Sequence, residues 1–490
     1  MQTPCFDTIC APATAPGGAL CVVRVSGPEA LIVADKVLRF KTGAALSSEG
    51  YSLKYATVPG LDEVLVSVFR APHSYTGEDS VEISCHASPY IVSELLARLV
   101  AAGARMAGPG EFTRRAFAAG KMDLSQAEAV ADLIAADSAA SHRLAVNQLK
   151  GGYSAELHAL RDRLVELASL LELELDFSEE DVAFADRSQL QNLLDAALAH
   201  IGRLADSFRE GNAIRNGVPV AIVGAVNSGK STLLNALLGS DRAIVSDLPG
   251  TTRDTVEDTM LLDGIRFRFI DTAGLRETQE KIERIGIERS LRELSRAEVV
   301  LGVLDGTVPL PEVQKSYSEI RNRISPSQRF IVLRNKVDAF DAIDPEQFPG
   351  KDRSYGLFEL KYPAFGTYNL DPEQFAASLG SEDTPAPTEV IDISARTGEG
   401  LDLLRRRLVE SQSGLGSGDE LLVTNLRHYE ALVRAQDALR RVDAGLSKAL
   451  PSDLLSQDLR DAIHELGTIT GEVTTDEILG EIFGKFCIGK

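Results

Sequence analysis

The sequence predicts a multidomain protein with an N-terminal α+β domain, an all-α helical domain, and an α/β domain inserted into the helical one. Short apolar runs alternate with Gly/Pro turns up to about residue 120, which is typical of a small α+β domain. Leucines then recur at helical spacing from Leu157 to Leu175. Between two helical blocks, strand-like and helix-like runs alternate, as they do in a doubly wound parallel sheet.

The domain boundaries follow from these changes of pattern. We place the N-terminal domain at 1–121, the first part of the helical domain at 122–215, the inserted α/β domain at 216–412, and the second helical part at 413–490. Segment 342–388 is rich in Pro, Gly and aromatic residues, and we expect it to be a surface excursion from the sheet.

The bulk composition restricts the classes of partner. A formal net charge of -21 argues against a general electrostatic attraction to phosphate backbones, so any nucleic-acid contact must be local. The basic stretch at 105–121 is the best candidate, although such a run is more often a solvated face. Five scattered cysteines without CxxC spacing favour a cytoplasmic protein. No signal-like N-terminus and no run of about 20 apolar residues supports secretion or a membrane partner.

A phosphate-binding loop is predicted at 224–232, "GAVNSGKST". The segment follows a strand-like run and opens a helix-like one, which is the context that gives the pattern G-x-x-x-x-G-K-[ST] its meaning. Backbone N–H groups wrap the phosphates, Lys230 reaches the β and γ oxygens, and the Ser231 hydroxyl binds Mg²⁺. The predicted nucleotide contacts in this loop are Asn227, Ser228, Gly229, Lys230, Ser231 and Thr232.

Two further motifs indicate that the base is guanine, so that the nucleotide is GTP. In "NKVD" (335–338), the Asp338 carboxylate can accept from both the ring N–H and the exocyclic amine of guanine, a donor pair that adenine lacks. Asn335 helps to tether this loop, which also contains Lys336. In "SAR" (394–396), Ser394 precedes Ala395, whose backbone N–H is expected to face the guanine carbonyl.

Two loops are predicted to respond to the γ-phosphate. "PGTTRD" (249–254) contains Thr251 and Thr252, and Thr252 is placed to complete the Mg²⁺ coordination when γ-phosphate is present. "DTAGLRET" (271–278) contains the Asp-x-x-Gly motif of Asp271 and Gly274, which reaches Mg²⁺ and the γ-phosphate.

The residue after this motif raises a question about the chemistry. Leu275 stands where Ras-type enzymes carry the glutamine that positions the attacking water, and a leucine cannot hydrogen-bond to water. Another group must therefore orient the nucleophile, and positive charge is needed near the bridging oxygen. No arginine finger is evident in the sequence. Asn227 could ligate a monovalent cation beside the phosphates, or it could simply brace the loop.

With these motifs, the chain resembles the MnmE (TrmE) family of tRNA-modification GTPases from end to end. The segments that carry the resemblance are "DTICAPATAPGGALCVVRVSG", "SYTGEDSVEISCH", "GPGEFTRRAFAAGKMDLSQAEAVADLI", "GTTRD", "DTAGLRET" and the terminal "FCIGK". The resemblance implies a homodimer built through the N-terminal domain, a helical domain formed from both helical blocks, and an inserted P-loop G domain of Ras-like fold.

The resemblance also implies how GTP is hydrolysed. Family members hydrolyse GTP faster when two G domains meet with K⁺ bound, so that the ion supplies the charge that an arginine finger supplies elsewhere. The positions matching the K⁺ ligands are Asn227, Ser246, Leu248 (through its carbonyl) and Thr251. Glu283 matches the glutamate that positions water, and it joins Lys230 in the predicted catalytic set.

A second site is implied in the N-terminal domain, which in the family binds a tetrahydrofolate derivative as one-carbon donor. We expect 5-formyl- or 5,10-methylene-tetrahydrofolate. The positions matching the folate contacts are Arg24, Glu82, Lys121 and Lys490. A carboxylate suits the paired donors of a pterin-like ring, and cations suit the glutamate tail. Cys487 resembles the cysteine proposed to serve the modification chemistry as a thiolate, with an inert free cysteine as the alternative.

The function implied by the resemblance is GTP-driven modification of tRNA. With an FAD-containing MnmG-like partner in a hetero-oligomer, the chain would add aminomethyl or carboxymethylaminomethyl groups to C5 of the wobble uridine. The alternative is a regulatory GTPase switch in ribosome assembly without modification chemistry, which should carry an RNA-binding appendage that the sequence does not show. A dimerising scaffold is a third interpretation, which intact Lys230, Ser231 and Thr252 disfavour.

Overall fold

The computed structural model describes residues 7–176, 187–239, 258–270, 294–342, 370–381, 384–412, 421–448, 450, 452–484 and 486–489. The N-terminal domain, the α/β domain and the helical domain each have a buried core of their own within these ranges. The predicted multidomain fold class is confirmed. None of the described helices combines the length and the apolar character needed to cross a lipid bilayer.

The N-terminal domain is a seven-stranded sheet with helices on one face. Its elements are β1 (Ile9–Pro12), β2 (Leu20–Ser26), α1 (Ala30–Val37), β3 (Arg39–Phe40), β4 (Ser52–Val58), β5 (Asp62–Phe69), β6 (Ser80–His86), α2 (Pro89–Ala101) and β7 (Arg105–Met106). The strand order is β3-β4-β5-β6-β2-β1-β7, and the strands pair antiparallel except for β1 with β7.

Strand alternation gives this sheet two different faces. Val23, Val66 and Ile83 are buried in the core that includes Leu95 and Leu99 of α2, because alternate residues of a strand turn to the same side. The neighbouring positions turn to the other side, which carries the charged pair of β2 and β6 described below.

The first helical block follows the N-terminal sheet. The N-terminal domain ends with α3 (Glu111–Ala118), and the helices of the block are α4 (Leu124–Ala135), α5 (Ala139–Leu149), α6 (Gly152–Asp176), α7 (Arg187–Asp206) and α8 (Phe208–Asn216). Asp123 begins α4 with a capping box, in which its side chain accepts from the Gln126 backbone and the Gln126 side chain accepts from the Asp123 N–H.

The α/β domain is a doubly wound sheet, as predicted. Its elements are β8 (Val218–Gly224), α9 (Lys230–Gly239), β9 (Asp258–Leu262), β10 (Ile265–Ile270), β11 (Val299–Asp305), α10 (Leu310–Arg321), β12 (Arg329–Asn335), a 3-10 helix (Val337–Ala342), α11 (Pro372–Leu379), β13 (Val390–Asp392) and α12 (Leu401–Glu410). The order is β13-β12-β11-β8-β10-β9, and only β9 pairs antiparallel. Buried clusters lie on both faces of the sheet.

Part of the expected surface excursion at 342–388 is instead packed structure. Residues 372–379 form α11, in which Phe375 and Leu379 are buried in the same core as Val313 and Tyr317 of α10. The apolar spacing of these two residues within one helical turn explains why the segment folds onto the domain rather than away from it.

The second helical block completes the bundle begun by the first. It contains α13 (Leu426–Ser447), α14 (Ser452–Thr470) and α15 (Asp476–Gly484). The leucines predicted at helical spacing, Leu157, Leu160, Leu164, Leu167 and Leu171, are buried together with residues of α7, α13 and α14. The bundle is therefore built from both sides of the inserted domain.

Candidate functional site

The predicted phosphate-binding loop connects β8, in the middle of the parallel sheet, to the N-terminus of α9. Asn227 and Gly229 adopt positive φ angles of 63° and 102°, which turn the chain sharply before the helix. Gly224 lies so close to β11 that an added Cβ would be 2.3 Å from the Val303 carbonyl oxygen. The Ser228 Oγ is buried and has no hydrogen-bond partner among the described residues, as expected of a loop that closes around a polar ligand.

Lys230, the first residue of α9, folds back over this loop. Its Nζ donates to the carbonyl oxygens of Gly224 at 3.0 Å and Ala225 at 2.7 Å. Burial lowers the pKa of the ammonium group. Ser231 and Thr232 follow on the exposed first turn of the helix, where backbone N–H groups and the helix dipole favour phosphate.

Asn335 joins the phosphate-binding loop to the two predicted guanine motifs. Its Nδ2 donates to the Ser228 carbonyl at 2.8 Å, and its Oδ1 accepts from the Ala395 backbone N–H at 3.0 Å. Asn335 is 2% exposed, so both hydrogen bonds are shielded from solvent. Asn335 thus joins two segments that are distant in the sequence, since Ser228 is 107 positions before it and Ala395 is 60 positions after it.

The Ala395 N–H, which is expected to face the guanine carbonyl, donates to the Asn335 amide oxygen at 3.0 Å in this structure. Its contact with guanine stays a prediction.

The side chain predicted to recognise guanine is held by two neighbours. Ser394 Oγ donates to Asp338 Oδ1 at 2.7 Å, and Arg396 Nε lies 3.3 Å from Asp338 Oδ2. Lys336, at a positive φ of 69°, pairs with Asp305 at 2.6 Å. Burial alone would raise the pKa of Asp305, but the hydrogen bonds from Lys336 and Thr307 outweigh it and lower the pKa overall. The Asp338 carboxylate is thus oriented by two residues of the other guanine motif, 394–396.

Several predicted site residues lie outside the described residues. These are Ser246, Leu248, Thr251, Thr252, Asp271, Gly274, Glu283 and Lys490. Asn227 is the predicted K⁺ ligand that the structure describes. It is exposed on the phosphate-binding loop, and its side chain makes no hydrogen bond with the described part of the chain.

Two of the predicted folate residues are cross-strand partners in the N-terminal sheet. Arg24 on β2 and Glu82 on β6 stand opposite each other and form an ion pair at 2.8 Å. The Arg24 guanidinium also lies 5.0 Å from the ring centroid of Tyr75 and 5.5 Å from that of Phe112. The Lys121 Nζ donates to the Pro72 carbonyl at 2.9 Å.

The C-terminal tail of the helical domain reaches the N-terminal domain near this pair. Gly110, which precedes the helix carrying Phe112, donates its N–H to the Cys487 carbonyl at 3.4 Å, and Pro109 pairs with Ile488. Gly489 has a φ of 100°, and an added Cβ would be 1.9 Å from the Pro12 carbonyl oxygen. Fold topology therefore brings the two ends of the sequence together.

Cys487 differs from the cysteines of the N-terminal sheet. Cys10 and Cys85 are buried, and burial raises the pKa of both thiols to about 11. Cys487 is exposed, so of these three it is the thiol that a substrate can reach.

The basic stretch at 105–121 is not a free cationic surface. Arg105 pairs with Asp7 at 2.7 Å and with Glu111 at 2.8 Å. Arg115 is 1% exposed and pairs with Asp7, Glu111 and Glu78. These carboxylates neutralise the two arginines within the domain, and the expectation of a local nucleic-acid site here is wrong for them.

Sequence reasoning missed a buried ionic cluster between the two helical blocks. Glu128 on α4 lies 2.6 Å from His428 Nε2 and 3.1 Å from Arg427 Nη2, both on α13. Nearby, Asp132 pairs with Arg215 at the junction with the α/β domain, at 2.7 Å. No motif marks these residues, because Glu128 and His428 are 300 positions apart in the sequence and Asp132 and Arg215 are 83 apart.

The α/β domain is that of a P-loop protein with a Ras-like G domain. A glycine-containing loop joins a central parallel strand to a helix, and Lys230 folds over this loop. Asn335 links the loop to the guanine motifs. Family models match most of the chain. "GTP-binding protein TrmE N-terminus" matches residues 8–121, and "MnmE helical domain" matches residues 124–487. The chain belongs to the MnmE family.

Curated relatives are similar over their whole length. Proteins named tRNA modification GTPase MnmE are 49% identical in Bacteroides fragilis, 48% in Bacteroides thetaiotaomicron and 46% in Porphyromonas gingivalis, each over 99% of this chain and at least 98% of the relative. Among solved structures, a GTP-binding protein from Sulfolobus solfataricus in complex with GDP aligns with 52% of this chain and 67% of its own, at 18% identity and a TM-score of 0.27, a similarity too low to bear on function.

Proposed function

We propose that the chain is a K⁺-dependent GTPase that modifies tRNA. With an FAD-containing MnmG-like partner, it adds aminomethyl or carboxymethylaminomethyl groups to C5 of the wobble uridine, in the cytoplasm. The observation that carries the GTPase proposal is the double hydrogen bond of Asn335, which joins the phosphate-binding loop to the guanine motifs. The tRNA proposal is supported by full-length similarity to curated tRNA modification GTPases.

The binding of GTP is proposed to use the charge and donors around the phosphate-binding loop. Lys230 and the backbone N–H groups at the start of α9 face the phosphates, while Asp338, already oriented by Ser394 and Arg396, accepts from the guanine edge. Because Asn335 connects both loops, the base and the phosphates are held at a fixed separation.

Two cations fit the residues of this site. We propose Ser231 and Thr252 as Mg²⁺ ligands, and Asn227, Ser246, Thr251 and the Leu248 carbonyl as K⁺ ligands. The exposed amide of Asn227, which makes no hydrogen bond within the described residues, supplies a hard oxygen suited to an alkali cation. These ions neutralise charge on the phosphates. Glu283 is proposed to orient the attacking water in place of the glutamine that the sequence lacks.

A tetrahydrofolate derivative is proposed to bind the N-terminal domain through Arg24, Glu82, Lys121 and Lys490. Glu82 and Arg24 face the side of the sheet opposite to the helices, in a setting that also includes the rings of Tyr75 and Phe112. A carboxylate and aromatic rings suit the paired donors and the flat face of a pterin. The docked tail places exposed Cys487 in the same region, which supports its proposed part in the modification chemistry.

The open face of the same sheet also supports the proposed homodimer. Exposed Leu53 and Leu65 lie on β4 and β5, in register with the rows that contain Glu82 and Ser84. Exposed apolar side chains that cluster on one sheet face are typical of a protein interface. The folate residues and the dimer contact would then share one face.

The test is GTP hydrolysis by the purified chain in K⁺ and in Na⁺, together with wobble-uridine analysis of tRNA from a deletion strain that carries the same variants. K⁺ should accelerate hydrolysis by about 10²-fold, the scale of one preorganised charge contact in a transition state. Asn227→Ala should remove this stimulation while GTP still binds, and Asn322→Ala, at the exposed end of α10, is the matched control.

The outcomes separate the parts of the proposal. Equal rates in both salts would exclude the cation site, and no hydrolysis in either would exclude the GTPase. Hydrolysis by a chain whose loss leaves wobble modification intact would favour the ribosome-assembly switch.

A further inference from the structure

A cavity of about 610 Å³ opens on the α/β domain away from the nucleotide loops. Its lining includes Tyr317, Arg321, Arg329, Phe330, Glu389 and Arg407. Arg329 begins β12, whereas Asn335 ends it. Because a strand rises about 3.3 Å per residue, the cavity lies roughly 20 Å from the guanine motifs, at the amino ends of the parallel strands rather than at their carboxyl ends.

The lining contains three arginines and one carboxylate. Arg329 Nη2 and Arg407 Nε lie 3.1 Å and 3.2 Å from the two oxygens of one carboxylate, that of Glu389. The Arg321 guanidinium makes no hydrogen bond or ion pair with any residue that the structure describes. Arg407 Nη1 also lies 2.7 Å from Glu410 Oε2, so Arg321 is the lining arginine whose positive charge has no paired carboxylate among the described residues, in a chain whose formal net charge is -21.

The floor beneath these arginines is fixed. Tyr317 and Phe330 stack with ring centroids 6.0 Å apart and an interplanar angle of 15°. The Tyr317 hydroxyl donates to the Pro385 carbonyl at 2.6 Å, which ties the segment before β13 to α10. A site with immobile walls loses little conformational entropy when it binds a ligand.

We propose that this arginine-lined cavity binds phosphate groups of the tRNA backbone, an inference that rests on the proposed function. Guanidinium groups present paired N–H donors that match phosphate oxygens, and a cluster of them provides the local positive field that an acidic chain otherwise lacks. Within the basic stretch at 105–121, Arg105 and Arg115 add little to such a field, because they are paired with Asp7, Glu78 and Glu111.

The experiment measures the binding of total tRNA from a deletion strain to the full-length chain over a series of KCl concentrations. Arg321→Gln should weaken binding by about tenfold at low salt and reduce the slope of log K against log salt by about 1. Arg329→Gln should act in the same direction. Glu389→Gln removes the carboxylate and should strengthen binding, an effect that a merely structural role would not produce.

Two comparisons complete the design. Arg440→Gln removes an arginine that is 62% exposed on α13, outside the cavity, and it should leave the affinity and the slope nearly unchanged. Inorganic phosphate, added as the potassium salt at constant ionic strength, should not displace tRNA at millimolar concentration if the contact is with the RNA backbone. Displacement by phosphate would instead identify a site for the free anion and overturn the proposal.

The failure of this inference can be told from failure of the proposed function. GTP hydrolysis by all four variants should equal that of the unaltered chain, since none of these residues contacts the nucleotide loops. If the unaltered chain binds tRNA and the cavity variants bind it equally well, the cavity assignment is wrong and the function stands. If the unaltered chain neither binds tRNA nor supports wobble modification, both are wrong.

Discussion

Replacing Glu128 with alanine removes the carboxylate that joins the two sequence-separated halves of the helical domain. Glu128 is 5% exposed and contacts His428 at 2.6 Å and Arg427 at 3.1 Å. His428 is buried as well and stacks on Tyr153, with ring centroids 5.6 Å apart. The alanine variant leaves the cationic Arg427 and the buried imidazole of His428 without their shared acceptor.

The size of the effect follows from these contacts. Removing one partner of a buried ion pair typically costs 3–5 kcal/mol, because the remaining charge stays desolvated. Arg427 keeps its hydrogen bonds to the carbonyl oxygens of Thr468 and Ile469, and its side chain is 23% exposed, so the lower end applies. We therefore expect Glu128→Ala to lower the free energy of unfolding of the helical domain by about 3 kcal/mol.

The pH dependence gives a second measure of the same interaction. Burial opposes ionisation of Glu128, but the charges and hydrogen bonds of His428 and Arg427 outweigh it and lower its pKa from 4.5 to about 2. A carboxylate with a lowered pKa stabilises the fold above its unfolded pKa, and this stabilisation is lost as pH falls toward 2. The unaltered chain should therefore lose stability more steeply between pH 5 and pH 2 than Glu128→Gln does.

The assay is urea unfolding followed by circular dichroism at pH 7, because the chain contains no tryptophan to report by fluorescence. Glu430→Ala is the matched control on α13. Its carboxylate is 55% exposed and lies 3.9 Å from Arg434, so its loss should cost less than about 0.5 kcal/mol. A Glu128→Ala variant as stable as Glu430→Ala would show that the contacts of Glu128 with His428 and Arg427 add no measurable stability.

Two further substitutions test the loops around the candidate sites. Gly229→Ala should weaken binding of a fluorescent GTP analogue by at least about tenfold, because φ is 102° and the new Cβ would be 2.1 Å from Asn335 Nδ2. The control Gly239→Ala has open space around its new Cβ and should bind normally, and equal affinities of the two variants would contradict the role of the turn. Gly489→Ala should detach the tail from the Pro12 carbonyl and abolish wobble modification while GTP hydrolysis continues, whereas the control Gly480→Ala on α15 should retain modification and hydrolysis. Unchanged modification by Gly489→Ala would show that docking of the tail is dispensable.

Much of the fold is predictable because its signals are local. The helical spacing of Leu157 to Leu171 needs only the period of an α-helix, and the buried face of α6 agrees with it. The phosphate-binding loop is likewise a short pattern whose glycine turn and following helix are encoded within nine residues, 224–232. The segment that forms α11 is incorrectly predicted as a surface excursion, because an eight-residue helix with two buried large apolar residues is a weak signal beside many Pro and Gly residues.

Local sequence patterns specify most of the segments that become helices and strands, and the short motifs that resemble the contacts for phosphate, guanine and folate. Tertiary structure decided which charges remain available. It placed Arg105 and Arg115 against carboxylates, directed the Ala395 N–H to Asn335, and gathered Arg321, Arg329 and Arg407 around one cavity. The physical reason is range: backbone preferences act over a few residues, whereas ion pairing and desolvation depend on distances that only the folded chain sets.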